Sequence, residues 1–176
     1  MDSFHSISSS VTGNGHWYGL NLSLPLLGNG AYSWVYKLTD KTVLKVNRTS
    51  TLPYIDGWLP FAWFATQNPD VNLPRIYQLK TFSFGGYMAE VERLKPQETL
   101  SYPWLERLSI YKRMFDALGA PDDTTQRNVM WRGSDMVIND VYASTNRTPW
   151  VEKFITSVMP TLDWKATDNR QLELAL

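Results

Sequence analysis

The sequence predicts an α+β chain: an antiparallel five-stranded sheet with one helix, followed by a second, truncated and mostly helical portion. Three observations carry this expectation. Short runs rich in β-branched and aromatic residues are separated by Gly, Asn and Asp turns over the first 92 residues. Within them, residues 51–67 have the length and composition of a helix. Further on, Leu105, Leu108, Tyr111, Phe115 and Leu118 fall on one face of a helix expected from Trp104 to Leu118.

Taken in order, residues 1–20 are rich in Ser, Gly and Asn and are expected to form a flexible N-terminal segment. An apolar run from Leu22 to Leu27 leads into glycines at 28 and 30. Tyr32, Trp34 and Tyr36 then alternate with Ser33, Val35 and Lys37, which suits a strand. Thr39-Asp40-Lys41 reads as a turn and Thr42 to Val46 as the next strand. Pro53 marks the start of the following helix, Pro60 is expected to kink or restart it, and Asn68-Pro69-Asp70 ends it. Arg75 to Phe82 and Gly86 to Val91 read as two more strands, giving the order β-β-β-α-β-β. Gly119 closes the long helix. A hairpin of Val129–Trp131 and Met136–Ile138 follows, then a last helix from Pro149 to about Val158. The expected division is a lobe over 21–94 and a reduced lobe, with its C-terminal helix and tail, over 95–176.

Composition narrows the function classes. A chain of 176 residues buries about 70% of its unfolded surface. With 43% apolar and 14% aromatic residues it reads as globular, and its eight Trp point to an aromatic core. Lys plus Arg equals Asp plus Glu at 17 each, without a basic run, so no nucleic-acid partner is expected. The absence of Cys removes disulfides, thiolate metal sites and a Cys nucleophile. The two histidines, His5 and His16, lie in the polar N-terminal stretch, which argues against a His-based triad. No secretory signal pattern opens the chain, and its most apolar segment, Trp58 to Ala65, is too short to span a bilayer. The expected compartment is therefore the cytoplasm, with no membrane partner.

Two groups of residues carry chemistry. Gly28-x-Gly30-x-x-Ser33-x-Val35 sits between strands, where backbone N–H groups can lie over phosphates because glycine has no side chain to obstruct them. The plain alternative is a hairpin turn that uses Gly for positive φ. Lys45 lies between Leu44 and Val46; if those face the core, the lysine faces the opposite side, beneath the glycine turn and within reach of phosphates. Asp56 is the one acidic residue between Lys45 and Asn68, and it suits equally a partner for that lysine or a helix start. Downstream, Asp123 and Asn128 stand five apart, and Asp140 follows twelve residues after Asn128. Asp123 can accept a hydroxyl proton, while Asn128 and Asp140 offer hard oxygen ligands to Mg²⁺. Singly, each of these reads as well as an ordinary polar loop; the complete spacing is more specific.

On these motifs the chain resembles the protein kinase-like superfamily over roughly Leu26 to Tyr142, and in particular the compact serine/threonine kinases of lytic tailed bacteriophages. The resemblance implies a minimal two-lobed kinase fold that uses ATP and Mg²⁺. By position, Gly28 and Gly30 form the phosphate loop, Val35 caps the adenine, and Lys45 contacts the phosphates. The Glu92 carbonyl and the Leu94 N–H meet the adenine edge. Asp123 is the catalytic base, and Asn128 and Asp140 are the metal ligands. The implied partner is a host protein, phosphorylated on Ser or Thr in the host cytoplasm. Three departures stand out: Pro121-Asp122 replaces the His-Arg before the catalytic Asp, Asp140-Val141-Tyr142 replaces Asp-Phe-Gly, and 36 residues follow Asp140 without Ala-Pro-Glu. They imply activity without activation-loop phosphorylation. They also keep open a non-catalytic kinase-like protein that inhibits a host factor by binding and, third, a small-molecule phosphotransferase.

Overall fold

The computed structural model describes residues 7, 24–30, 33–47, 52–68, 71–81, 87–96, 100–118, 125–141, 149–153 and 156. Strands β1 (Leu26–Asn29), β2 (Ser33–Lys37), β3 (Thr42–Asn47), β4 (Ile76–Thr81) and β5 (Tyr87–Glu92) form one sheet in the order β1-β2-β3-β5-β4. Every pairing in it is antiparallel. Alternation explains its core face. Trp34 and Tyr36 of β2 pack with Leu44 and Val46 of β3 and Met88 of β5, and Ile7, Leu24 and Leu38 join the cluster. The β2–β3 turn is organised by the Thr39 hydroxyl, which accepts from the N–H groups of Lys41 (3.1 Å) and Thr42 (2.9 Å). Lys37 and Asp40 close the same turn with an ion pair of 2.6 Å.

Helix α1 (Leu52–Gln67) runs without interruption through Pro60. Of the kink or restart expected at that proline, the restart does not occur. Trp58, Phe61, Ala62 and Ala65 around it are buried, and each large apolar side chain removed from water contributes about 1.5–3 kcal/mol. That offsets the roughly 3 kcal/mol that an interior proline costs. Phe61 and Ala65 belong to a core with Leu73, Leu108, Phe115, Val129, Met136, Ile138 and Val141. Phe61 meets Phe115 edge-on, with ring centroids 6.2 Å apart.

Helix α2 (Tyr102–Leu118) starts two residues before the expected Trp104, with Pro103 in its first turn and the Ser101 carbonyl accepting from Trp104 and Leu105. Its buried face carries Leu108 and Phe115, flanked by Trp104, Tyr111 and Leu118. Leu105, expected on that face, is half-buried, and Trp104 takes its place against Trp131 at 4.5 Å. A second sheet, unanticipated in its third strand, joins β6 (Lys95–Pro96), β7 (Val129–Arg132) and β8 (Asp135–Ile138) in that order, all antiparallel. The chain after α1 is fixed to β8. Asn72 donates through Nδ2 to the Met136 carbonyl (2.7 Å) and accepts from the Ile138 N–H (2.8 Å). Beside it, Arg132 donates to the Leu73 carbonyl (2.9 Å). Helix α3 spans Pro149–Lys153; most of its expected extension to Val158 lies outside the described residues.

The chain divides into two compact units: Met1–Ile55 with Arg75–Arg93 and Asp163–Leu176, and Asp56–Pro74 with Leu94–Leu162. The division crosses α1 after its first turn, because Phe61 and Ala65 pack with α2 and β7–β8. Among the described residues, no helix is long and apolar enough to cross a membrane.

Candidate phosphate and metal sites

In the first unit the strand register decides which side chains share a face. Residues directly opposite each other in an antiparallel ladder point the same way. Gly28 lies opposite Val35, Val35 opposite Lys45, Lys45 opposite Ala89, and Ala89 opposite Leu79. Three residues singled out from the sequence thus fall in one row across the sheet, on the face away from the Leu44–Val46–Met88 cluster. Lys45 itself is only 7% exposed, in a strand whose six residues are all buried.

Polarity changes along this face. Level with Lys45 it carries Val35 and Ala89, and toward the β2–β3 turn Val43 and Val91, opposite each other, with Lys37 opposite Val43 at the turn. Toward the other end Ser33 lies opposite Asn47, and Tyr87 is two residues from Ala89 on the same strand face. Ser33, Asn47 and Tyr87 are buried with Lys45, Asn47 at 0% exposure. A patch of Val35, Val43, Ala89 and Val91 next to hydroxyl, amide and ammonium groups suits a ligand that pairs a flat apolar ring with anionic oxygens. Ser33 entered the sequence reading only as the third position of the glycine pattern, and Asn47 not at all. An Asn closing a β-run reads as a turn residue; its spacing of two from Lys45 was the available signal.

The turn preceding this row does not need its glycines. Neither Gly28 nor Gly30 has positive φ, so the hairpin explanation for them fails, and a Cβ at either would meet nothing within 4 Å. Gly30 donates its N–H to the Ser33 carbonyl at 2.8 Å, and all of β1 is exposed. Glu92 ends β5 opposite Thr42, its N–H donating to the Arg75 carbonyl (2.9 Å). Its carboxylate accepts from the Arg75 N–H at 3.3 Å. Glu92 stands at the end of the first unit and Leu94, buried, opens a segment of the second.

In the second unit, the hairpin β7–β8 brings Asn128 and Asp140 to one end. Val129 pairs with Ile138, and beyond that pair the Asn139 N–H donates to the Asn128 carbonyl at 2.6 Å. Asn128 closes a short 3₁₀ turn, Gln126–Asn128, and is half-buried, as is Asp140. Asp140 is the one described non-glycine residue with positive φ, at 60°. Asp tolerates the left-handed region better than most residues, yet the conformation is uncommon and costs free energy. Such strain concentrates where function fixes a backbone. The donor set fits a hard cation: an amide oxygen and a carboxylate suit Mg²⁺, which retains several waters and shares phosphate oxygens. No cluster of three or more His, Cys, Asp or Glu able to hold a metal occurs among the described residues. Asp123, the expected base, and the Asp56 side chain lie outside the described residues.

No protein-family model matches this sequence, and no curated protein matches it either. Among solved structures the chain is similar to the Legionella pneumophila Lpg2603 kinase bound to IP6, at 12% identity and a TM-score of 0.42. The likeness covers 75% of this chain and 58% of that kinase, so the chain spans under two-thirds of its length. The described architecture is mixed α+β, with a five-stranded antiparallel sheet and few helices.

Proposed function

We propose that the chain is a Mg²⁺·ATP-dependent phosphotransferase of the serine/threonine protein kinase type. The observation that carries this reading is the row Gly28–Val35–Lys45, in which a dispensable glycine, an apolar residue and a buried lysine share one sheet face. Val35 and the apolar half of that face receive the adenine, and Lys45 takes the α- and β-phosphates. Glu92 and Leu94 offer backbone groups to the adenine edge. Asn128 and Asp140 would hold Mg²⁺, which when bound would neutralise charge developing on the transferred phosphoryl group. Asp123 orients the acceptor hydroxyl and accepts its proton as the new oxygen–phosphorus bond forms and the bond from the γ-phosphorus to the bridging oxygen of ADP breaks, ADP leaving. The acceptor is a Ser or Thr of a host protein, as the likeness to phage kinases implies, and the site of action is the host cytoplasm.

The test is a melting titration with ATP and Mg²⁺, followed by mass measurement of phosphate transfer to the chain or to a host lysate. A ligand that binds only the folded state at a hundredfold excess over Kd raises stability by about 2.7 kcal/mol. Lys45→Met should remove that shift. No shift at millimolar Mg²⁺·ATP would rule the reading out.

A further inference from the structure

We propose that the outward face of α2 is a self-complementary seam on which a second copy of this chain docks, helix against antiparallel helix, in a weak two-fold dimer. Leu108 and Phe115 mark the buried direction of α2. The helical period then carries Pro103, Ile110, Met114 and Ala117 onto the side away from the core. All four are exposed, Ile110 at 51% and Met114 at 39%, and Tyr102 beside them is 79% exposed. A single exposed apolar residue needs no explanation. A stripe of them along most of one helix marks a contact surface.

Charge selects the partner. Glu106 and Arg113 lie on the same outward face, both exposed and about 10.5 Å apart in helix rise. Among the described residues neither is in an ion pair, whereas Lys112 is held by Asp116 at 3.6 Å and Arg107 lies over the Trp104 ring at 5.1 Å. An antiparallel second copy inverts the order of the two charges. About a two-fold axis between Ser109 and Ile110, Glu106 of each copy comes level with Arg113 of the other, so two ion pairs form. The same register sets the two Ile110 side chains together at the axis and brings Tyr102 level with Ala117 of the other copy, a large ring against a methyl group. Parallel docking would instead set Glu106 against Glu106. The chain carries 17 basic and 17 acidic residues, so no net charge repels a second copy. A 17-residue helix is about 25 Å long and roughly 10 Å across, so the seam covers on the order of 300 Å² per copy, well under the roughly 800 Å² of a tight interface. The association is therefore weak and reversible. Its exposed ion pairs add little affinity but fix register and partner.

The experiment is sedimentation of the full-length chain from low to high micromolar concentration at low salt, without nucleotide. The average mass should rise toward twice that of one chain. Glu106→Arg and Arg113→Glu each turn both ion pairs into like-charge contacts, and each alone should weaken self-association about tenfold. An equimolar mixture of the two variants restores opposite charges at both contacts and should associate as wild type does. A chain carrying both exchanges should also associate as wild type does. Ile110→Asp should abolish association in every background. All three positions are exposed, so circular dichroism should stay native; Ile110→Asp covers the case in which a charge exchange fails to fold. A wild-type chain that stays monomeric throughout overturns the proposal. So do single exchanges that keep full association, or a mixture that fails to regain it.

Discussion

Strands β1 and β3 both hydrogen-bond to β2, yet they are opposites. Every residue of β3 is buried; every residue of β1 is exposed. In β3 a polar side chain is expensive, so Lys45 and Asn47 stand out because the fold would be cheaper without them. In β1 the logic reverses. Stability asks almost nothing of an exposed edge, so Gly28 in the strand and Gly30 just beyond it, which no φ and no close contact require, stand out as choices made for something else. Cost marks function at the centre of the sheet, and indifference marks it at the edge.

The sharpest way to break this contrast is truncation. Leu44→Ala, at 0% exposure, should cost about 2–5 kcal/mol in denaturant unfolding. Leu26→Ala, at 55% exposure, should stay within about 0.5 kcal/mol. Equal losses would show that β1 is packed as β3 is. Asp140 extends the comparison to the second sheet, as a residue that is costly in backbone rather than burial. Asp140→Gly should leave the melting temperature unchanged or higher, since glycine accepts φ of 60° freely. The same change, like Asp123→Asn, should lower phosphoryl transfer by roughly 10²–10³. A host effect that survives both substitutions would mark a protein that acts by binding.

Gly30→Val tests indifference at the edge directly. Stability should move by less than about 0.5 kcal/mol, because a Cβ there meets nothing, while the ATP-dependent melting shift should vanish. A large loss of stability would return the glycine to a structural role. The smallest effect belongs to the Lys37–Asp40 pair. The hydrogen bond and charge of Lys37 hold the Asp40 carboxyl below its ordinary 3.8. A depressed carboxylate contributes stability above its unfolded value and loses it as pH falls through the folded one. Asp40 is 89% exposed, so Asp40→Asn should be nearly silent in denaturant melts at neutral pH and wholly silent in high salt.

Much of the fold was legible because it rests on local pattern. The aromatic alternation at 32–37 and the apolar run at 42–46 fixed two strands, and the spacing from Leu108 to Leu118 fixed a helix to within one turn of its face. What escaped depends on partners far along the chain. Lys95–Pro96 carries no alternation and contains a proline, so its pairing with β7 had no local signature. The continuity of α1 through Pro60 is enforced by Leu108, Phe115 and their neighbours, which local propensity does not see. At the candidate sites, residue types and spacings were readable. The left-handed backbone of Asp140 and the burial of Asn47 were not, since neither is a property of residue order.

Asn72 has a consequence for how this protein behaves in concentrated solution. Strand β8 is an outer strand of its sheet, and such a strand offers unpaired N–H and C=O groups to any passing chain. One residue uses its side-chain amide and its own carbonyl to occupy the Met136 and Ile138 positions of that rim, as a further strand would. A single asparagine thereby does the work of a gatekeeper against self-association. Its loss would be felt in turbidity and shelf life before it was felt in melting temperature.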